Sequence, residues 1–341
     1  MGKFELLRAN KGHGTRRREL IGLIAAILAA AALPSAAEPP MVRVAILREA
    51  PLTDPAVAHG WRIFVEELEK NGWREGRNIV FDQRDAAGNG ELYAKFASEL
   101  VALEPSVIVT IGSATTAAVR QQTKTISIVM IGPGDPVGSG FVASLAHPGG
   151  NITGVSSQLA ELSGKALQFI KELRPSASRV VFFWRPDNPA EVLSKRNYEA
   201  VAPSVGLTVE GMPVTTDREL DAALSVMAAA PPDALMITTI PPARLRTREI
   251  AAFAIEHRML TLAPHPAMVH DGLLLSIGPR GDELSRRAAA IVAKILNGAK
   301  PPEIPVEQPT AIGIAVNLKT AKAIGLVLPP TLLVRADEVI E

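Results

Sequence analysis

The chain has 341 residues, with 36 Lys and Arg against 35 Asp and Glu, 47% hydrophobic and 4% aromatic residues, and no cysteine. At about 100–200 residues per domain the length provides for two domains or lobes, and the ordinary charge content excludes a disordered or low-complexity chain. Without Cys there is no disulfide framework, thiolate metal site, Cys nucleophile or lipidated cysteine, and a net charge of +1 offers no electrostatic attraction to nucleic acid.

Residues 1–37 read as an export signal. Lys3, Arg8, Lys11, Arg16, Arg17 and Arg18 precede an uncharged run at 20–33 (LIGLIAAILAAAAL), and Pro34-Ser35-Ala36-Ala37 supplies small residues for cleavage. Residues 15–20 resemble a twin-arginine motif, except that Glu19 stands where an aromatic residue is usual. The alternative is an uncleaved anchor, since the 18 residues at 20–37 approach a bilayer span. Cleavage after Ala37 removes six basic and two acidic residues, leaving a mature charge of −3 and a protein free in the periplasm.

Strands and helices then alternate. Apolar, β-rich runs are expected as strands at 42–47, 79–81, 107–111, 126–131, 152–155, 179–184, 207–209 and 234–238. Between them, helical spacing appears at 57–70, where Val57, Trp61, Phe64, Val65 and Leu68 share a face, and at 91–103, 113–122, 162–173, 189–205, 217–229 and 244–257. One more unit, 273–277 with helix 282–296, precedes a proline-rich connector at 300–309 (KPPEIPVEQP), a strand at 312–316 and short terminal helices. This alternation predicts an α/β protein of two doubly wound parallel-sheet lobes. The isolated late unit is expected to recross between them, with 38–150 plus 272–308 as the N-terminal lobe and 151–271 plus 309–341 as the C-terminal lobe. A hinge of several crossovers leaves a cleft that can close on a ligand.

GDPV at 134–137, HPGGNITG at 147–154, EQPT at 307–310, NLKTAKAIGL at 317–326 and PPTLLVRADEVI at 329–340 follow one another along the chain. In these blocks the chain resembles the ABC transporter substrate-binding family typified by tryptophan- and phenylalanine-binding proteins. The resemblance implies the periplasmic binding protein type I fold, a small organic ligand such as an amino acid or carboxylate between the lobes, and delivery to an ABC permease and ATPase in the inner membrane. The protein is expected to be a monomer with no cofactor and no catalytic activity.

In doubly wound sheets, ligands sit where strands end and helices begin. Ser113, Thr115 and Thr116 open such a helix after Gly112, and their hydroxyls and free N–H groups suit a carboxylate or serve as an N-cap. Asp135 follows the strand at 126–131 and faces a ligand amine or its own turn. Arg48, with Glu49 and Thr53, follows strand one, where many relatives carry small polar residues; this points to a polar or charged ligand. In the second lobe Trp184, Asp187 and Asn188 follow a strand, the last two as cleft residues or caps, and Thr238 ends the next strand. Thr238 to Pro242 lack the Asp and aromatic groups common in relatives, and Ile277 replaces a frequent Tyr, which argues against stacking of an aromatic amino acid.

Trp61 and Trp73 read as core or rim. His257, His265, His270 and Asp271 match no metal spacing, and Arg244, Arg246 and Arg248 read as a solvated face or a contact for an anion or the permease. No nucleophile elbow, P-loop or HExxH is present, and Gly132-Pro133-Gly134 is not a dinucleotide fingerprint. A periplasmic sensor passing its signal to a membrane receptor, or a hydrolase on the same fold, are the competing functions.

Overall fold

The computed structural model describes residues 41–159, 162–238 and 240–341; the expected export signal and Thr239 lie outside them. Five strands, β1 (Val42–Arg48), β2 (Ile79–Asp85), β3 (Val107–Ile111), β4 (Ser127–Ile131) and β5 (Ile152–Val155), form a parallel sheet in the order β2-β1-β3-β4-β5. Strands β6 (Arg179–Trp184), β7 (Thr208–Pro213), β8 (Ala234–Met236), β9 (Leu260–Ala263), β10 (Leu275–Pro279), β11 (Ile312–Asn317) and β12 (Glu338–Ile340) form a second, ordered β12-β11-β10-β9-β8-β6-β7. It is parallel except where β11 runs against β10. The run 7-6-8-9-10 repeats 2-1-3-4-5, so each lobe has a switch point beside its first strand, where ligand crevices form.

Helices α1 (Pro55–Lys70), α2 (Gly90–Ala102) and α3 (Ser113–Gln122) connect the first strands. Helix α4 (Ser163–Leu173) enters the second lobe, followed by α5 (Pro189–Val201), α6 (Asp217–Ala229), α7 (Pro241–Leu245), α8 (Thr247–Glu256) and α9 (Pro266–His270); α10 (Gly281–Leu296) precedes β11, and α11 (Leu318–Ala323) and α12 (Pro330–Arg335) lie between β11 and β12. None of the helices among the described residues is long and apolar enough to cross a membrane.

Local chemistry sets these boundaries. Asp54 caps α1 by accepting from the Ala56 and Val57 N–H groups, with Pro55 pre-set for the first turn, and Asn71 followed by Gly72 at φ 89° stops it. The helix expected over 189–205 ends at Val201 because Pro203 cannot continue it, and a 3-10 turn, Ala202–Val205, takes over. The helix expected over 244–257 is two helices that meet at Arg246.

Strand alternation divides each core between two faces. Val44 and Ile46 pack with Phe64 and Leu68, whereas Ala45 and Leu47 pack with Leu100 and Met130 on the other side. In the second lobe Val180 and Phe182 join Leu167 and Ile170, while Val181 and Phe183 join Leu220 and Ile250.

Two expected lobe assignments are corrected. Residues 152–155 belong to the first sheet: β5 pairs with β4, and Gly154 lies so close to it that a Cβ would come 2.1 Å from the Met130 carbonyl oxygen. The strand at 273–277 does not return to the first lobe, because β10 is held between β9 and β11 with Leu275 and Ile277 in the second core. Helix α10 alone of that unit packs on the first lobe, where Leu284, Ile291, Val292 and Ile295 join Phe64 and Leu68. Burying such side chains contributes about 1.5–3 kcal/mol each. The connector then lies along β5, with Thr153 Oγ1 donating to the Ile304 carbonyl at 2.7 Å and the Glu307 N–H to that of Gly154 at 2.9 Å. Within the described residues the chain therefore crosses between lobes after β5, after β10 and before β11.

Candidate functional site

The carboxyl ends of β1 and β3 bring Glu49 to the start of α3. Its Oε1 accepts from the Ala114 N–H at 2.9 Å, and a Cβ on Gly112 would lie 2.1 Å from that oxygen. Gly112 also has φ 104°, so both backbone and space require glycine. A carboxylate at a helix N-terminus gains from the dipole. Desolvation nevertheless raises the Glu49 pKa, against the lowering pull of Arg185 and the α3 amide groups.

Across the cleft, Arg185 follows the last residue of β6 and is 2% exposed. Its Nε and Nη2 grip Asp187 at 2.9 and 2.5 Å, and its Nη1 donates to the Tyr93 hydroxyl of the first lobe at 3.1 Å. Asn188 caps α5 by accepting from Ala190 N–H, and Glu191 sits in the first turn, 8% exposed. Glu191 Oε2 accepts from the Arg185 N–H at 2.7 Å and its Oε1 from Asn188 Nδ2 at 3.2 Å. Burial pushes its pKa up to about 8.

Between these groups lies a cavity of about 100 Å³. The first lobe lines it with Glu49, Gly112, Ser113, Gly132 and Gly134; the second with Asn188, Glu191, Ser194, Tyr198 and Thr238, over apolar walls that include Phe182, Leu262 and Ile277. Burial raises the Tyr198 pKa to about 12, so its hydroxyl is neutral at pH 7. The lobes touch beside the cavity. Arg244 reaches from the second lobe to Asp54 at 3.1 Å while also holding Asp271 at 2.9 Å, and Pro241 fills the space a Cβ on Gly88 would need.

Of the residues singled out from sequence, Ser113, Asn188 and Thr238 line the cavity, as do Glu49, named with Arg48 after strand one, and Ile277. Arg48, Thr115, Thr116, Asp135, Trp184 and Asp187 do not. Thr115 and Thr116 turn their hydroxyls back onto the Gly112 carbonyl, at 3.0 and 2.7 Å, as helix-start hydroxyls readily do. Arg48 is fully buried, bonded to Asp85 at 2.9 Å and Gln83 at 2.5 Å, with its guanidinium 4.6 Å from the Trp61 ring centroid. It holds β2 to β1 because the pleat directs it into the lobe. Asp135 accepts from the Gly138 N–H at 2.7 Å and borders a separate recess with Asn197 and Gln308. Trp184 packs against the second core with Lys195 over its ring, and Asp187 is the partner of Arg185.

The place foreseen for a ligand carboxylate, the N-terminus of α3, is occupied by Glu49. Glu191 was missed; its Asn188-x-x-Glu191 spacing reads as a helix start and nothing more. Arg244 proves to be an interlobe contact rather than a solvated face. The histidines are scattered: His257 packs at a tilt against Phe253, His270 pairs with Glu338, and His265 lies by Arg244 and Asp54.

Residues 43–340 match the model of the ABC transporter substrate binding protein family. The chain is 27% identical over 281 residues to the tyrosine-binding protein of Clostridioides difficile (strain R20291), covering 80% of this chain and 78% of that one. A conserved domain protein from Vibrio cholerae superposes with TM-score 0.81 at 24% identity, covering 88% of this chain and 99% of the other. An ABC domain in complex with L-Trp from Streptococcus pneumonia gives 0.80 at 22% identity, with 88% and 100% covered. These likenesses match the two-lobed type I periplasmic binding protein architecture, and with the family match over nearly the whole described fold, the chain belongs to the ABC transporter substrate binding protein family.

Proposed function

We propose that this chain is the exported solute-binding component of an ABC uptake system, holding a small organic ligand of amino-acid size between its lobes. The observation that carries this reading is the cavity at both switch points, walled by polar groups of both lobes and by apolar side chains behind them. The amino-acid ligands named for two similar proteins support the size class. Ser113, Asn188 and Thr238, with Glu49 and Glu191, are the ligand-facing polar groups. The ligand enters with the lobes apart; closure about the crossovers brings Arg185 onto Tyr93 and Arg244 onto Asp54, and an ABC permease and ATPase receive the closed form. Ligand shifts this equilibrium only by its preference for the closed state. The protein acts as a periplasmic monomer, with 1–37 as its leader.

A thermal-shift screen of amino acids, carboxylates, amines and nucleobases tests the reading. A ligand at a hundred times its Kd stabilises by about 2.7 kcal/mol, which raises Tm by several degrees. Small-angle scattering with that ligand is expected to give a radius of gyration no larger than without it. A flat screen, or expansion on binding, overturns the proposal.

A further inference from the structure

Glu49 and Glu191 line one cavity from opposite lobes, and among the described residues lining it there is no Lys, Arg or His. Arg185 is close enough to draw both carboxyl pKa values down, but its guanidinium is turned to Asp187 and Tyr93. One carboxylate thus already neutralises it. Each cavity carboxyl is held by neutral donors: Glu49 by the Ala114 N–H, Glu191 by the Arg185 N–H and the Asn188 amide. Glu49 also occupies the helix N-terminus where a ligand carboxylate would otherwise dock. A second carboxylate there would meet like charge in a poorly solvated space, whereas an ammonium supplies the missing positive charge and three donors.

We propose that the cavity takes a primary amine lacking a carboxylate, its ammonium shared between Glu49 and Glu191 and its apolar body against Phe182, Leu262 and Ile277. This rests on the solute-binding reading above. The volume of about 100 Å³ is about two-thirds of the 150 Å³ cavity that admits six-carbon benzene, and suits a body of about four carbons. The raised pKa of Glu191 fits the same picture: without the amine one carboxyl keeps a proton, and the ammonium replaces it.

Two matched trios test the proposal by titration calorimetry at pH 7: isobutylamine, L-valine and 3-methylbutanoate, then butylamine, L-norvaline and pentanoate. The amines are expected to bind at least about tenfold more tightly than their amino acids, and the carboxylates not at all. E49Q and E191Q should each weaken amine binding by about tenfold or more, the loss expected for a charge-assisted hydrogen bond. Because Glu49 also caps α3, circular dichroism checks both variants, and E191Q decides if E49Q does not fold. Tighter binding of an amino acid or carboxylate overturns the charge assignment while leaving the solute-binding reading standing, as does unchanged amine affinity in E191Q. If none of the six binds, this inference is overturned, and the solute-binding reading is decided by the wider thermal-shift screen.

Discussion

The two lobes share one strand order yet hold their cavity carboxyls by different means. Glu191 is fixed by its own segment: Arg185, Asn188 and the first turn of α5 are all within six residues. Glu49 is fixed by a chain segment 65 residues away, and only because Gly112 leaves it room. A locally held group survives changes elsewhere in the lobe. One held across the sheet depends on its neighbour's backbone, so the first-lobe half of the site is the more fragile.

The sharpest way to break this contrast is Gly112→Ala, which forces a Cβ onto Glu49 at a backbone conformation that favours glycine. Its expected cost is about 2–4 kcal/mol in urea unfolding, the sum of strain and overpacking. Adding Glu49→Ala should recover the overpacking part and leave the strain. A double variant no more stable than Gly112→Ala would show that Glu49 is not what confines the turn.

An intermediate effect reads the second-lobe carboxyl by pH. Glu191 titrates near 8 in the folded protein against an ordinary value of 4.5. Between those values the native state keeps a proton that the unfolded chain has released. This contribution is therefore fully present below pH 4.5 and declines as pH rises to about 8. The urea midpoint of ligand-free protein should fall from pH 5 to pH 8, with a shallower fall in E191Q; equal slopes would refute the assignment to Glu191.

The smallest expected effect is that of Tyr93→Phe, which removes the hydroxyl accepting from Arg185 across the cleft and keeps the ring. A loss of about 1.5 kcal/mol, the low end for a hydrogen bond to a charged group, is expected, read as a larger mean radius of gyration without ligand. An unchanged radius would leave the contact between the lobes to the Arg244–Asp54 pair.

Much of the fold was legible because its signals are local. The β-rich runs, the Asp54-Pro55 helix start and the Asn71-Gly72 stop need no knowledge of distant residues. The lobe to which β10 belongs was not legible, since LSIGP is equally apolar beside either sheet and only pairing with β9 and β11 decides it. At the site, Ser113, Asn188 and Thr238 followed from the rule that crevices open at strand ends. Arg48 misled because the chain position is right and the pleat turns the side chain inward. Arg185 and Glu191 look like an ordinary strand end and helix start until the opposite lobe is brought against them.

Helix α10 has a consequence for how the molecule comes into being. Its residues Leu284, Ile291, Val292 and Ile295, with Ile304 after it, complete a core whose other members begin at Val44, so some 260 residues separate the first and last pieces of one lobe. Neither lobe is a continuous stretch, and a nascent chain cannot complete the first core until residue 304 has left the ribosome. Such long-range closure slows folding. In a protein that crosses a membrane as an extended thread, that delay keeps the chain threadable during synthesis; in one exported already folded, the same delay sets the time it must spend inside the cell.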